Sequence, residues 1–128
     1  MRLIVFASIM MLLSTAQAGA ETSVVIAGGP DDGLSLKLLK AIGDAFQQAP
    51  GFKVVNVWDA GALKVSLRSN VRPRKIGDRY QVRYIADFVI LPSRTLGSNE
   101  GICWEDTLAD CADQALKSAQ VQLSVNQP

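Results

Sequence analysis

Three aspartates follow short apolar runs, and they are the side chains in this chain best placed to do chemistry. Asp31 and Asp32 come after Ser23–Ala27, and Asp59 comes after Phe52–Trp58. If both runs are parallel strands, their carboxyl ends lie at one edge of a sheet, where ligands often bind. Carboxylates grouped there indicate a cation site or an acid–base pair. Helix capping and solvated loops are the simpler interpretation, and the loop composition favours it.

The chain contains no histidine, and this excludes several kinds of catalytic centre. Histidine is the commonest general base and metal ligand in proteins. Ser-His-Asp and Cys-His catalysis therefore cannot be assembled within the chain, and zinc or copper would need carboxylates or thiolates alone. We expect a protein that is not an enzyme and that uses no cofactor or metal. The alternative is a carboxylate-dependent hydrolase or divalent-cation-binding protein that uses Asp31, Asp32 and Asp59.

Basic side chains concentrate in the middle of the chain. They are Lys64, Arg68, Arg72, Arg74, Lys75, Arg79 and Arg83. Acidic side chains gather later, at Glu100, Glu105, Asp106, Asp110 and Asp113. A basic lobe of this kind predicts an anionic partner, such as an acidic protein face or a cell-envelope polymer. Solvated strand faces, or a sheet edge protected by charge, are the simpler explanation.

The predicted contact residues are four cations and one tryptophan: Arg72, Arg74, Lys75, Arg79 and Trp58. Trp58 closes a predicted strand, and Trp is enriched in binding hot spots, although such a residue more often packs at the margin of the core. The basic segment has no interleaved aromatic side chains on which bases could stack. Nucleic acid is therefore not expected as a partner.

Residues 1–18 have the pattern of a secretory signal peptide. Arg2 provides a positive start, Leu3–Leu13 is an apolar run, and Ala16-Gln17-Ala18 matches a cleavage site. The apolar run is shorter than the roughly 20 residues that a membrane span needs. We therefore expect a periplasmic or secreted protein with one domain over 19–128 and no membrane span after cleavage. Cleavage two residues later is the alternative.

The two cysteines, Cys103 and Cys111, are predicted to form a disulfide. An even number of cysteines in an exported chain favours pairing, and the alternative is two buried thiols. Neither cysteine lies near the cleavage position, so no lipid anchor is expected. Removing Arg2 from the 13 basic residues leaves 12, equal to the 12 acidic residues. This balance also argues against binding to bulk nucleic acid.

The chain is organised around a predicted hairpin between Ala62 and Leu91. Apolar residues alternate with polar ones in Leu63–Leu67 and again in Tyr80–Ile90. This period of two predicts two strands with one buried face. Between them, Arg72–Arg79 is charged and contains Pro and Gly. It is therefore predicted to be an exposed connection.

Before the hairpin, the pattern predicts a strand, a helix and a strand over Ser23–Ala27, Leu34–Ala49 and Phe52–Trp58. The helix has apolar residues at three- and four-residue steps. Asp32 is placed to cap its start, and Pro50-Gly51 to stop it. Short connections favour a right-handed βαβ unit with parallel strands.

After the hairpin, Pro92–Gly101 is predicted to be a loop, and Gly101–Trp104 a short strand. Glu105-Asp106-Thr107 opens a last helix with an alanine-rich buried stripe, and Val121–Pro128 is predicted to be a frayed tail. The whole chain then predicts an α+β fold, an α/β sandwich. It has a mixed sheet of four to five strands in the order β-α-β-β-β-(β)-α, with two helices on one face.

This arrangement resembles the small periplasmic α/β domain of the TolB N-terminal and curli-secretion-lipoprotein type. The matching features are Leu38-Leu39-x-x-Ile42 through Phe52-x-Val54-Val55, Gly61-Ala62-Leu63, Tyr80-x-Val82 with Asp87, and the final Ala-rich helix. Flagellar and peptidoglycan-synthase accessory proteins carry similar domains. This sequence lacks the lipid-attachment cysteine that many of them have, and it lacks a propeller or pore-forming segment.

The main functional prediction is an exported, non-enzymatic accessory domain that binds a protein or an anionic envelope component through its basic segment. A second alternative, beside the carboxylate-dependent one, is a structural subunit that assembles with copies of itself. In that case Ile85, Val89 and Leu91 would form the contact, because they add apolar character to the outer face of their strand. No oligomeric state is predicted.

Overall fold

The computed structural model describes residues 21–126, so the predicted signal peptide lies outside the described residues. Two helices and a six-stranded mixed sheet make an α+β fold, as predicted, with six strands in place of four to five. The elements are β1 (Thr22–Ile26), α1 (Gly33–Gln48), β2 (Phe52–Val54), β3 (Leu63–Leu67), β4 (Arg72–Ile76), β5 (Arg79–Ile90), β6 (Arg94–Trp104), a 3₁₀ turn (Glu105–Thr107) and α2 (Leu108–Val125).

Helix α1 begins where the sequence predicts, because Asp32 caps it. Oδ1 of Asp32 accepts a hydrogen bond of 2.6 Å from the N–H of Ser35, which satisfies one of the free donors at the helix start. The buried stripe of the helix, including Leu38, Ile42 and Phe46, packs against the sheet. Ser35, which lies between the apolar positions, is also fully buried.

The first half of the sheet is parallel, as predicted for a βαβ unit. Strand β1 lies between β2 and β3 and runs parallel to both. The predicted strand Phe52–Trp58 is wrong beyond Val54. Since β2 and β3 run in the same direction, the chain must return to the other end of the sheet, and residues 55–62 make that return. Val57 and Trp58 lie exposed in this crossover segment.

The second half of the sheet is antiparallel and centres on the 12-residue strand β5. One edge of β5 pairs with β4 and then with β3, and the other edge pairs with β6. The predicted exposed connection over Arg72–Arg79 is therefore wrong: five of its residues form β4, and Gly77-Asp78 is a two-residue turn. Gly77 has φ +63°, which suits the first central position of a hairpin turn.

Strand β6 and the end of α2 also differ from the prediction. The predicted loop Pro92–Gly101 is wrong from Arg94 onward, because β6 runs continuously from Arg94 to Trp104 along β5. The predicted frayed tail is wrong as far as Val125, where α2 ends. Nε2 of Gln122 donates 3.0 Å to the Ser98 carbonyl, which ties this last turn to β6.

Both helices pack on one face of the sheet, as predicted, and enclose the main core. Its largest fully buried side chains include Phe46, Phe88, Leu38 and Leu63. No helix of residues 21–126 packs on the opposite side of the sheet, and we call that side the open face. A small apolar cluster lies there beneath the crossover segment and consists of Val25, Val55, Ala62 and Leu91. Neither helix in residues 21–126 is long and apolar enough to cross a membrane.

Candidate anion-binding surface

The register of β4 and β5 places three arginines together on the open face. Arg72 pairs with Arg83, and Arg74 pairs with Gln81. Directly paired residues of an antiparallel ladder project to the same face, as do residues two apart along a strand. Arg72, Arg74 and Arg83 therefore share one face, and all three are exposed. We call these three arginines, with Arg79 and Lys75, the basic hairpin surface.

The cations of this surface lack internal partners, apart from Arg79. Within residues 21–126, no carboxylate oxygen lies within 4.0 Å of a side-chain nitrogen of Arg72, Arg74, Lys75 or Arg83. Elsewhere on the open face, Arg68 makes a two-pronged contact with Asp87, at 2.7 and 3.2 Å. Hydrogen bonding and charge from Asp87 raise the pKa of Arg68. The hairpin end is therefore left electropositive.

Arg79 is exposed, but two contacts within the molecule fix it, and with it the hairpin, to the residues that precede α2. Its Nη2 donates to Oδ1 of Asp106 at 2.7 Å. Its guanidinium carbon lies 4.4 Å from the ring centroid of Trp104, which is a cation–π distance. Arg79 therefore lies within the predicted site, but it forms an ion pair with Asp106.

Lys75 projects to the opposite side of the hairpin from the arginines. It pairs with Tyr80 in the register of the two strands, and both side chains are exposed. Because the helices do not cover this end of the sheet, the hairpin is accessible from both sides. The predicted basic residues thus form a two-sided projection.

Trp58 does not join this surface. It is 59% exposed in the crossover segment, and Nζ of Lys64 lies 5.6 Å from its ring centroid. Lys64 pairs with Val89, whereas Arg74 pairs with Gln81, eight positions away along β5. At roughly 3.3 Å per residue, this separation is about 26 Å. The structure therefore separates Trp58 from the four predicted basic residues.

Arg83 belongs to the predicted basic lobe, but the predicted contact residues include neither Arg83 nor the apolar side chains beside it. Arg83 pairs with Arg72 on one side and with Ile102 on the other, and Ile102 is 40% exposed. Trp104, two residues further along β6 than Ile102, pairs with Gln81. The signal that could have found Arg83 was the alternation of Gln81, Arg83 and Asp87 on one side of the predicted strand.

The three aspartates do not come together. Asp32 caps α1, and hydrogen bonds from the Ser35 side chain and then its backbone N–H lower the pKa of Asp32. The N–H of Asp31 donates to Oδ1 of Asn70 at 3.2 Å, and the Asp59 carbonyl accepts from Ala62 within the crossover segment. Among the described residues, no group of three or more acidic, Cys or His side chains could hold a metal ion.

Two buried features near α2 stabilise the fold. Cys103 and Cys111 form the predicted disulfide, which joins the end of β6 to the start of α2. The Tyr84 hydroxyl contacts Oδ1 of Asn99 and the Cys111 carbonyl, the latter at 3.1 Å. Burial raises the pKa of Tyr84 to about 12, so this phenol stays protonated at neutral pH. These groups lie beneath α2 and face away from the basic hairpin surface.

A surface cleft of about 470 Å³ lies between α1 and α2, and five of its eleven lining residues are alanines. Its carboxylates, Asp44 and Asp113, are paired with Lys40 and Lys117 on their own helices, at 3.3 and 2.9 Å. Exposed ion pairs of this kind are ordinary helix contacts. The cleft therefore offers no set of converging polar groups.

Comparison with known proteins identifies the fold. No protein-family model and no curated protein matches the sequence. Protein XCC0632 of family DUF330, from Xanthomonas campestris, has a TM-score of 0.57 at 9% identity, covering 83% of this chain and 88% of that one. A PelC dodecamer from Paraburkholderia phytofirmans has a TM-score of 0.52 at 11% identity, covering 84% and 89%. A minor lipoprotein from Acinetobacter baumannii has a TM-score of 0.50 at 12% identity, covering 80% and 94%.

At these identities the likeness is one of fold. It supports the coarse part of the predicted resemblance, a lipoprotein-like α+β domain, and it does not single out the TolB or curli-secretion type. The Acinetobacter protein is described as a lipoprotein, which stands against the prediction that this chain has no lipid anchor. The positions of Cys103 and Cys111, both in the disulfide, support that prediction.

Proposed function

We propose that this chain is an exported, non-enzymatic accessory domain of the cell envelope that binds an anionic partner through the basic hairpin surface. The observation that carries the proposal is the cluster of Arg72, Arg74 and Arg83, which is exposed and free of ion pairs within residues 21–126. Complementary charge attracts such a partner over distances near the Debye length, roughly 8–10 Å in physiological salt.

The position of the hairpin supports a role in binding. Strand β4 is exposed at all five residues, so its side chains add little to the core. Pro73 and the charges on β4 are features that discourage a sheet edge from pairing with other chains. They explain why the edge is protected, but charge of either sign would serve that purpose. The uniform positive sign favours an anionic ligand.

The export and envelope parts of the proposal rest on other observations. The pattern in residues 1–18 predicts secretion, and a protein described as a minor lipoprotein shares the fold. The non-enzymatic part rests on a sequence without histidine, on an Asp32 carboxylate that caps α1, and on residues 21–126 containing no group of three acidic, Cys or His side chains that could hold a metal ion.

The test compares three forms of the protein for retention on isolated cell envelopes. The first is the wild type, and the second carries Arg72→Glu, Arg74→Glu and Lys75→Glu. The third carries Lys37→Glu, Lys53→Glu and Arg94→Glu, which are also exposed and give the same net charge. We expect the hairpin variant to lose retention and the matched control to keep it. Equal retention of all three would reject the basic hairpin surface as the binding site.

Self-assembly is a second candidate, favoured by one observation: a protein of the same fold is described as a dodecamer. The contact residues predicted for it are less available than expected. Leu91 is 7% exposed beneath the crossover segment, and Ile85 and Val89 are half-buried. Sedimentation at high protein concentration tests this candidate, because a monomeric mass would contradict it.

A further inference from the structure

Two arginines face each other across the β4–β5 pair. Arg72 and Arg83 are direct partners in an antiparallel ladder, where Cβ atoms lie roughly 4.5–5.5 Å apart and like charges are destabilising. Both side chains are exposed, and within residues 21–126 no carboxylate oxygen lies within 4.0 Å of their side-chain nitrogens. The fold therefore keeps two neighbouring positive charges without compensating them.

A cleft of about 230 Å³ opens beside this pair of arginines, on the side where β3 gives way to β4. Strand β3 ends at Leu67 and β4 begins at Arg72 along the same edge of β5. The N–H of Arg68 still donates to the Ile85 carbonyl at 2.9 Å, and the chain then leaves the sheet before β4 begins, which opens a gap beside β5. Arg72 and Arg83 line the resulting space, together with Ser69, Asn70, Tyr84, Ile85 and Glu100.

Two hydrogen bonds fix the segment that forms the wall of the cleft. The N–H of Val71 donates to Oγ of the buried Ser35 at 2.9 Å, and the N–H of Asp31 donates to Oδ1 of Asn70 at 3.2 Å. Because Oδ1 is the acceptor, the amide nitrogen of Asn70 carries two N–H donors. No acceptor in the described part of the chain takes them. The wall therefore offers a positioned donor beside two guanidinium groups.

Glu100 is the acidic side chain on the wall, and it makes no ion pair within residues 21–126. Its charge acts on Arg68, whose pKa is raised mainly by Asp87 and to a smaller extent by Glu100. It lies more than 4.0 Å from the side-chain nitrogens of Arg72 and Arg83, since it forms no ion pair with them. Glu100 thus limits the total charge that the cleft accepts without neutralising the arginine pair.

We propose that this cleft is a subsite for one oxyanion group, a carboxylate or a phosphate, held between Arg72 and Arg83 with Asn70 and Ser69 as additional donors. Guanidinium groups bind both kinds of oxyanion through paired N–H···O bonds. The inference rests on the proposed function, because the oxyanion would belong to the anionic partner and would fix its position on the basic hairpin surface. Arg74 and Lys75 lie outside the cleft and add long-range attraction.

The test titrates acetate and inorganic phosphate into the folded protein at constant ionic strength, with sodium chloride as the balancing salt. The readout is the NMR signal of the Asn70 side-chain amide and of the arginine Nε–H groups. We expect saturable shifts, and we expect Arg83→Gln to weaken binding about tenfold or more, since it removes a charge-assisted contact. The control, Arg74→Gln, removes the same charge outside the cleft and should weaken binding much less than Arg83→Gln, because it removes only long-range attraction.

Saturation by acetate alone identifies a carboxylate ligand, and saturation by phosphate alone identifies a phosphate ligand; either supports the subsite. Shifts that do not saturate, or an equal loss in Arg74→Gln and Arg83→Gln, would overturn it. If the subsite fails this test but retention on envelopes still depends on Arg72, Arg74 and Lys75, the proposed function stands without the subsite. Arg83 is exposed, so Arg83→Gln should keep the wild-type circular dichroism spectrum. A changed spectrum would identify a folding defect.

Discussion

Asp32 links the start of α1 to the connection between β3 and β4. It accepts from the N–H of Ser35, and the Ser35 hydroxyl in turn accepts from Val71. A capping residue that needs only a side-chain oxygen can be Asp or Asn, but only Asp titrates. The acid stability of the protein therefore depends in part on this one carboxylate.

Replacing Asp32 by Asn should change how stability depends on acid. The folded pKa of Asp32 is lowered from its ordinary value of 3.8 by hydrogen bonds from Ser35. The stability that this shift contributes is present above pH 3.8 and is lost as the pH falls through the folded pKa. Urea unfolding of both proteins should show a wild-type advantage that shrinks below pH 4. A difference that stays constant from pH 6 to pH 2 would contradict the assignment.

Gly101 shows why β6 is a continuous strand although its middle, residues 97–101, has no apolar side chain. It pairs with Tyr84 on β5, and a Cβ at position 101 would overlap the Tyr84 ring. The ring thus fills the space that a side chain on β6 would otherwise occupy. The apolar contribution that the sequence of β6 lacks comes from its neighbour.

Gly101→Ala should lower the free energy of unfolding by about 1–3 kcal/mol, the usual cost of overpacking a core. Gly28→Ala is the control, because a Cβ there meets nothing within 4 Å. In a Tyr84→Ala background the Gly101 substitution should cost much less, since the overlapping ring is gone. Urea denaturation measures the free energy of unfolding of the two single glycine variants, of Tyr84→Ala and of the Gly101→Ala, Tyr84→Ala double variant. An equal cost in both backgrounds would mean that the ring is not the obstacle.

At the scale of elements, the sequence predicted α1, β1, β3, β5 and the parallel βαβ unit because each of these buries a regular apolar face. It failed for β4, which is exposed at every residue and so has no apolar alternation to detect. It predicted only the end of β6, Gly101–Trp104, and failed for the part before it, because Tyr84 supplies the packing above Gly101. Local pattern predicts an element only when the element carries its own buried face.

The same limit applies to the candidate surface. The sequence indicated Arg72, Arg74, Lys75 and Arg79 as a group, and all four do lie on one hairpin. It could not reveal that Arg83 faces Arg72, because this pairing depends on the two-residue turn at Gly77-Asp78. An apolar pattern also does not show that Ser35, a polar residue of α1, is buried with its hydroxyl as the acceptor for Val71.

The edge of the sheet at β6 is covered by side chains of α2. Gln114 both accepts from the N–H of Ile102 and donates to its carbonyl, at 3.3 and 2.9 Å, and Gln122 donates to Ser98. Gln47 of α1 accepts from Val54 at the opposite edge, at 3.3 Å. Glutamines thus replace strand partners on both flanks, which protects these edges from pairing with other chains.

The disulfide links α2 to β6 and so keeps the glutamine side chains of α2 against the edge of the sheet. Changing both Cys103 and Cys111 to Ala should lower the free energy of unfolding by about 2–3 kcal/mol, as expected for closing a short loop. Chemical denaturation of the oxidised wild type, the reduced wild type and the double variant measures this. Equal stability of the oxidised and reduced wild type would contradict the prediction.

At the scale of the whole molecule, charge is distributed unevenly over a chain that is nearly neutral. The helices and the parallel strands form a compact layer, and the end of the β4–β5 hairpin projects from it with unpaired cations. Arg68, by contrast, is paired with Asp87, and Arg79 with Asp106. The positive field is therefore concentrated at Arg72, Arg74, Lys75 and Arg83. The other 8 basic and 12 acidic side chains of residues 21–126 give the rest of the molecule an acidic excess.

The account is tested most directly by watching the arginine Nε–H signals of the labelled protein while the anionic fraction of the cell envelope is added. Arg72, Arg74 and Arg83 should shift together and return when about 500 mM salt screens the attraction. Arg94, which is exposed at the start of β6, should not move and serves as the internal control. Shifts confined to other parts of the molecule, with the three hairpin arginines unchanged, would contradict the central claim.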